Sequence, residues 1–244
     1  MSVLPRAIYG QAVGVVMQQD RIVRLPGDVG NATTFPFPVR YELVDGVDPG
    51  DLKSPDRARA AAPAFARAAR ALEAAGARVI GTGCGYLSIL QHELQAAVHV
   101  PVLTSSLLQV PWVARTLGPG RRVGIVTADS RALDDAYFEP LGWTSHTVPV
   151  AIVGIEHETE FIDLLFHHRF EEDEVRRMHD VMGRLVRRFV AATPDVGALV
   201  LECTNLPPFA ATMQRACGLP VFDVVTLLLW AQAAAVRQPF TGYL

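Results

Sequence analysis

The chain has 244 residues, 50% of them hydrophobic, with a formal net charge of −3 and three cysteines. That size holds one large domain or two small ones with apolar material for both cores, and without a basic surplus no nucleic-acid partner is expected. An odd, sparse cysteine count fits free thiols in a reducing compartment better than a disulfide scaffold. The first residues, Met1-Ser-Val-Leu-Pro-Arg6, lack the apolar core of an export signal, and the longest late apolar stretch, Val224 to Val236, is broken by Thr226 and Gln232. The expectation is a soluble, cytoplasmic protein with no membrane partner.

Short β-branched runs alternate with longer helical patterns, as in parallel sheets built from βα units. Val13 to Met17 reads as the first strand and Val39 to Val44 as the second. A long Ala/Arg-rich helix follows between Ser54 and Ala75, with Ser54-Pro55 shaped like an N-cap and first helical position and Gly76 like a stop. Pro63 removes a backbone donor and crowds the preceding turn, so two pieces or one kinked helix are expected. Next come the strand ending at Cys84, a helix over roughly Leu87 to Ala97, the Pro101-Val-Leu103 strand, and a helix from about Ser106 to Leu117.

Gly118-Pro-Gly120 punctuates the chain and the pattern restarts. Arg122-Val-Gly-Ile-Val126 matches Ala12-Val-Gly-Val-Val16 at an offset of 110 residues, whereas Cys84 and Cys203 are offset by 119. The difference of nine residues is expected between Ile155 and Val190, where two helical patterns replace one. The second of these, Glu171 to Phe189, begins with acids and ends at Arg187-Arg188, which suits the helix dipole at both ends.

The two cysteines carry the chemistry of this reading. Each sits where an apolar run, Ala77-Arg-Val-Ile-Gly-Thr-Gly-Cys84 or Gly197-Ala-Leu-Val-Leu-Glu-Cys203, breaks into a turn, and each is followed 17 residues later by Pro-Val. Two related units facing each other would place two thiols across one cleft, able to take a proton from one face of a carbon and return one to the other. If a helix opens beside each cysteine, its dipole lowers the thiol pKa, and the turn's N–H groups hold a substrate carboxylate. Thr82, Thr204 and Asn205 add polar donors beside the thiols. A lone cysteine at a buried strand end is usually an inert small hydrophobe, and Cys217, which has no counterpart in the first half, reads that way.

With Cys84 at the first strand-turn and Leu201-Glu-Cys203-Thr204-Asn205 at the second, nearly the whole chain resembles the aspartate/glutamate/hydantoin racemase superfamily, which also holds maleate isomerases and arylmalonate decarboxylases. The Gly27-Asp-Val-Gly-Asn31-Ala-Thr33 loop is similar to that superfamily's substrate-carboxylate loop. The resemblance implies an α/β fold of two pseudo-repeated lobes, each a parallel-sheet βα sandwich, with the site in the cleft between them. The lobes are expected over residues 1–117 plus 225–244 and over 118–224. It further implies base and acid roles for Cys84 and Cys203 and substrate contacts from Asn31, Gly85, Thr127, Thr204 and Asn205; Thr82 and Tyr86, beside the first thiol, are further candidate contacts. The partner is then a small carboxylate or hydantoin, no cofactor is involved, and the chain forms a homo-oligomer in which the helix Val224 to Val236 covers the first lobe or a subunit contact.

One departure bears on substrate. Amino-acid racemases of this type place Asn-Thr after the first cysteine, where this chain has Gly85-Tyr86, so carboxylate binding survives better than recognition of an α-amino group. Arg40 reads as an ordinary strand arginine, with contact to a distal carboxylate as the alternative.

Cofactor chemistry finds little footing in the sequence. The single lysine, Lys53, lies in a turn-rich segment expected to be exposed, a poor setting for pyridoxal phosphate. Gly81-Thr-Gly83-Cys-Gly85 fails the dinucleotide fingerprint at Tyr86. His157-Glu158 with Glu160, and His167-His168, read as solvated positions, not as a metal site. The function expected is a cofactor-independent racemase or epimerase. The alternatives are a maleate-type cis–trans isomerase, an arylmalonate-type decarboxylase and, from another class, a non-catalytic carboxylate-binding module.

Overall fold

The computed structural model describes residues 8–20, 22–166 and 171–242, so the Met1–Arg6 segment and the His167-His168 pair lie outside the described residues. Continuous apolar runs build the middle of two four-stranded parallel sheets. β1 (Val13–Gln18), buried at all six positions, lies between β2 (Val39–Val44) and β3 (Val79–Thr82), with β4 (Val102–Leu103) beyond β3. The second sheet repeats this order, with β5 (Arg122–Thr127) between β6 (Val150–Gly154) and β7 (Val196–Leu201), and β8 (Val221–Phe222) outside β7. Parallel sheets covered on both faces read as unbroken Val/Ile/Leu runs, which is why these strands stand out in the sequence. The protein is α/β, with two sheets of like topology.

The helices are α1 (Pro55–Ala75), α2 (Gln91–Ala97), α3 (Val110–Thr116), α4 (Asp135–Phe138), α5 (Thr159–Phe166), α6 (Glu172–Ala192), α7 (Ala210–Cys217) and α8 (Val224–Ala235). α1 runs unbroken through Pro63, whose ring lies on the exposed face, so the lost N–H bond is offset by burial on the other side through Phe65, Ala69 and Leu72. Ser54 occupies the N-cap position without a side-chain capping bond, and Gly76 ends the helix at φ 108°, a left-handed conformation that glycine adopts without strain. Two expected helices begin as 3₁₀ turns, Gly85–Leu90 ahead of α2 and Ser106–Gln109 ahead of α3. α6 starts on a reciprocal capping box between Glu171 and Glu174.

The extra length of the second half lies between β6 and β7. Val13 sits opposite Val39 and Val79, whereas Val123 sits opposite Val150 and Ala198, so the second interval is eight residues longer. α5 and α6 occupy it where the first half has α1.

Last in the chain, α8 returns to the first sheet and packs Val224, Leu228 and Ala231 against Val13, Val15 and Met17. One apolar cluster also runs through both halves, joining Leu87, Leu90 and Leu107 to Tyr137, Phe138 and Val200. The Tyr86 and Tyr137 rings meet edge to face at 5.2 Å, and the Tyr137 hydroxyl donates to the Leu52 carbonyl at 2.9 Å. The halves therefore share a core, and the carboxyl ends of their inner strands keep a fixed relation. No helix among the described residues is long and apolar enough to cross a membrane.

Candidate active site

Each sheet ends its third strand in the same device. The Gly83 N–H donates to Val16 O and the Glu202 N–H to Val126 O, both at 2.8 Å, which turns the chain out of β3 and β7 at Cys84 and Cys203. The Cys84 carbonyl then accepts from Leu87 N and the Cys203 carbonyl from Leu206 N, both at 3.1 Å. The Cys203 thiol donates to Asn205 Oδ1 at 3.7 Å, and the backbone N–H two residues on, from Tyr86 at Cys84 and from Asn205 at Cys203, favours the ionised form of each sulfur. The ends of parallel strands are where α/β sheets place ligands, and here they open on a cavity of about 380 Å³.

Both cysteines are partly accessible and both line this cavity, with Gly85, Tyr86, Thr204 and Asn205. The turns are tied across the halves. Thr204 Oγ1 donates to Gly83 O at 2.7 Å, Asn205 Nδ2 donates to Asp28 Oδ2 at 2.9 Å, and Ser106 Oγ donates to Leu201 O at 2.6 Å. Asp28 is in turn paired with Arg24 at 3.1 Å.

Three expected contact residues stand back from the cavity. Thr82 is buried and gives its hydroxyl to the Thr104 and Cys84 carbonyls, holding β3 to the strand beside it. Thr127, also buried, donates to Glu202 Oε2 at 2.7 Å. Asn31 spends its amide inside its own loop, donating to Arg24 O at 2.8 Å and accepting from the Thr33 N–H at 2.9 Å. That loop meets the second turn through Asp28 instead. Arg40 sits opposite Gly14 at the start of β1, at the other end of the sheet from the thiols.

The thiol electrostatics differ from the sequence expectation. No α-helix begins at either cysteine: Cys84 caps a 3₁₀ run of six residues, and after Cys203 the next 3₁₀ turn starts at Pro207. Burial raises the Cys203 pKa to about 12, the Glu202 charge adds to this, and the Asn205 N–H opposes it. Cys84 is also pushed up, first by burial and then by Glu202, against the Tyr86 N–H. Each N–H does favour a thiolate, but desolvation outweighs it.

Glu202 is the main residue to which sequence reasoning assigned no role. It is 1% exposed, and burial lifts its pKa to about 7 against the pull of Thr127, the Ala128 N–H and Lys53. An acid closing the apolar run Gly197-Ala-Leu-Val-Leu201 was the available signal, because strand ends in such sheets face the ligand. Gln18 and Asp20 reach the cavity from the end of β1 for the same reason. Lys53 also lines it, with Nζ 3.6 Å from an Asp129 carboxylate oxygen, so its segment is a wall of the site as well as a turn. Ile155, Ile162, Leu165 and Phe166 supply an apolar wall from the inserted region. No group of three metal-ligating side chains occurs among the described residues, and His157 is exposed.

Two like sheets, a shared core and paired cysteine turns over one cavity define a two-lobed α/β enzyme scaffold. A model of the Asp/Glu/hydantoin racemase family matches residues 49–232, and the chain belongs to that family. Among curated proteins it is similar to the dimethylsulfoniopropionate lyase of Durusdinium sp. clade D, with 28% identity over 218 residues covering 88% of this chain and 71% of that one. It is also 28% identical to dimethylsulfoniopropionate lyase 5 of Emiliania huxleyi over 244 residues, 95% of this chain but 47% of that one, so it spans about half that relative's length. Solved structures with this fold include a glutamate racemase from Bacillus anthracis (TM-score 0.61, 12% identity, 92% of this chain and 82% of that one). Unliganded arylmalonate decarboxylase is another (TM-score 0.58, 18% identity, 94% of each chain).

Proposed function

We propose that this chain is a cofactor-independent enzyme that removes the proton from the carbon next to a substrate carboxylate, with Cys84 and Cys203 as the reacting thiols. The observation that carries this reading is the pair of matched turns, each placing a half-buried cysteine on the wall of one cavity. In the reading we favour, the carbanion is consumed by loss of a β-substituent, a lyase reaction. A thiolate takes the α-proton, the C–H electron pair becomes the new C=C bond, and the leaving group departs with its own bonding pair.

Three observations support a zwitterionic monocarboxylate as substrate. Among the described residues, Asp20, Asp48 and Glu202 line the cavity with Lys53 as the counter-charge, which suits a cationic β-substituent better than the dianions of a maleate isomerase or malonate decarboxylase. Gly85-Tyr86 lacks the polar pair associated with α-amino recognition. The similarity to dimethylsulfoniopropionate lyases points to a sulfonium carboxylate as the first compound to try. Racemisation is the second reading, favoured by the presence of two thiols where an elimination needs one base.

Incubation in D₂O with dimethylsulfoniopropionate, amino acids, hydantoins, maleate and an arylmalonate, followed by NMR, tests both. Acrylate with dimethyl sulfide supports the lyase, and α-deuteration without elimination supports the racemase. Turnover of maleate or the malonate alone would refute the zwitterion argument. Full turnover by both single Cys→Ser variants would refute the thiol assignment.

A further inference from the structure

The cysteine turns match in backbone, but the residue ahead of each thiol differs, Gly83 before Cys84 and Glu202 before Cys203. The carboxyl of Glu202 lies between the two turns. Oε2 accepts from Thr127, whereas Oε1 is buried without a partner and lies 2.1 Å from where a Cβ on Gly85 would be. A buried acid with one carboxylate oxygen unpaired at the end of a core strand works against stability, which points to a chemical use.

We infer that Glu202 is the internal proton acceptor that arms the thiols, an inference that rests on the reading of Cys84 and Cys203 as the reacting groups. The S–H bond breaks, the proton moves to the Glu202 carboxylate, and the electron pair stays on sulfur. The thiolate then takes the substrate's α-proton. Glu202 afterwards releases its proton to solvent in an elimination, or returns it to the thiol that reprotonated the carbon in a racemisation.

Charge counting favours this route over loss of the thiol proton to water. A thiolate beside an ionised Glu202 would put two negative charges in one buried site, whereas internal transfer keeps one. Burial and the Glu202 charge together hold Cys203 near 12, and the transfer removes that charge as the thiolate forms. With its own value raised to about 7, Glu202 takes up and gives up a proton near neutral pH. The groups around it are Cys84 and Tyr86 from one turn, Cys203 from its own, Thr127 from β5 and Tyr137 from α4. Lys53 is the cation that reaches it, and Asp20 and Asp28 are acids that reach the thiols.

The test is the alkylation rate of Cys84 and Cys203 by iodoacetamide against pH, in the full chain with Cys217→Ser, followed by peptide mass spectrometry. With Glu202 present, the rate should rise to about neutral pH and then level off over roughly two pH units, because the thiolate form tracks Glu202 ionisation. In Glu202→Gln, which retains an acceptor for Thr127, the plateau should vanish and the rate should climb about tenfold per pH unit toward the thiol's own pKa. A parent protein without the plateau, or a variant that keeps it, overturns the inference. Should the Gln variant fail to fold, Thr127→Val removes a donor to the carboxylate and should move the plateau's onset to higher pH; an unmoved onset is equally fatal. Alkylation reads Glu202 without any substrate, so failure of the thiol assignment would show separately, as Cys→Ser variants that still turn over.

Discussion

The turn Gly83-Cys84-Gly85-Tyr86 and the turn Glu202-Cys203-Thr204-Asn205 share strand ends, carbonyl bonds and sulfur-directed N–H groups, yet their side chains are complementary. The first is cut down to backbone where the second projects. Glu202 fills the space that a side chain on Gly85 would need, and the Thr204 hydroxyl reaches the Gly83 carbonyl at 2.7 Å. The two halves share one frame, and Gly85 of the first turn is the socket for the Glu202 side chain of the second. The site that results has two like thiols but an acid directly ahead of only one of them, Glu202 before Cys203.

The largest expected effect breaks the symmetry at the sulfurs. At least one of Cys84→Ser and Cys203→Ser should lower kcat by about 10²–10⁴-fold, the range for loss of a positioned acid or base, while Cys217→Ser at the end of α7 leaves it unchanged. Unequal losses sharpen the comparison. In a lyase one cysteine dominates, whereas a two-base racemase loses racemisation with either, and steady-state rates of the single variants separate the two.

The next effect is on stability. The folded-state pKa of Glu202 is raised from 4.5 to about 7, so its ionised form is disfavoured by folding. The contribution is fully present below about pH 4.5 and is lost as pH rises through 7, on the order of 3 kcal/mol in all. Urea unfolding should therefore show stability falling across this window in the parent chain and much less in Glu202→Gln. Asp28 and Asp223 are also raised by burial, so the difference between the two proteins is the quantity to read. Identical pH dependence would mean that Glu202 is not desolvated.

Much of the frame was legible in the sequence because parallel inner strands write unbroken apolar runs and because the duplication repeats Cys and Pro-Val at a fixed spacing. The Pro101 and Pro220 carbonyls even accept from matching residues, Ile80 and Leu199, at 3.0 and 2.8 Å. What escaped the sequence is what depends on desolvation. A helix-dipole rule applied to Cys84 and Cys203 predicts lowered thiol pKa values, but it carries no information on how deeply each sulfur is buried or that Glu202 turns inward between them. Asn31 is expected at the substrate because its loop resembles the superfamily's carboxylate loop, and only the fold reveals that its amide closes that loop on Arg24 and Thr33.

Filling a socket is the third way to break the comparison. On Gly85→Ala, the new Cβ would meet Glu202 Oε1 at 2.1 Å and the Glu202 carbonyl at 2.2 Å, and the second contact is backbone that no rotamer relieves. Overpacking of this kind costs about 1–3 kcal/mol, and for a chain of this length Tm falls by roughly 2–4 °C per kcal/mol. An unchanged Tm would mean that the two turns have room to part.

The smallest effect tests the opposite direction of the same fit. Thr204→Val keeps shape and burial but removes the hydroxyl that donates to Gly83 O at 2.7 Å, leaving that carbonyl with only the Gln18 amide at 3.4 Å. A lost hydrogen bond that leaves one partner buried costs about 1–2 kcal/mol, measurable as a shift in the urea midpoint without a change in slope. Thr204→Ser retains the donor and should recover most of the loss. A Val variant as stable as the parent would show that the turns are held by the shared core around Tyr86 and Tyr137 alone. In that case the polar link across the halves would serve the geometry of the thiols and not the stability of the fold.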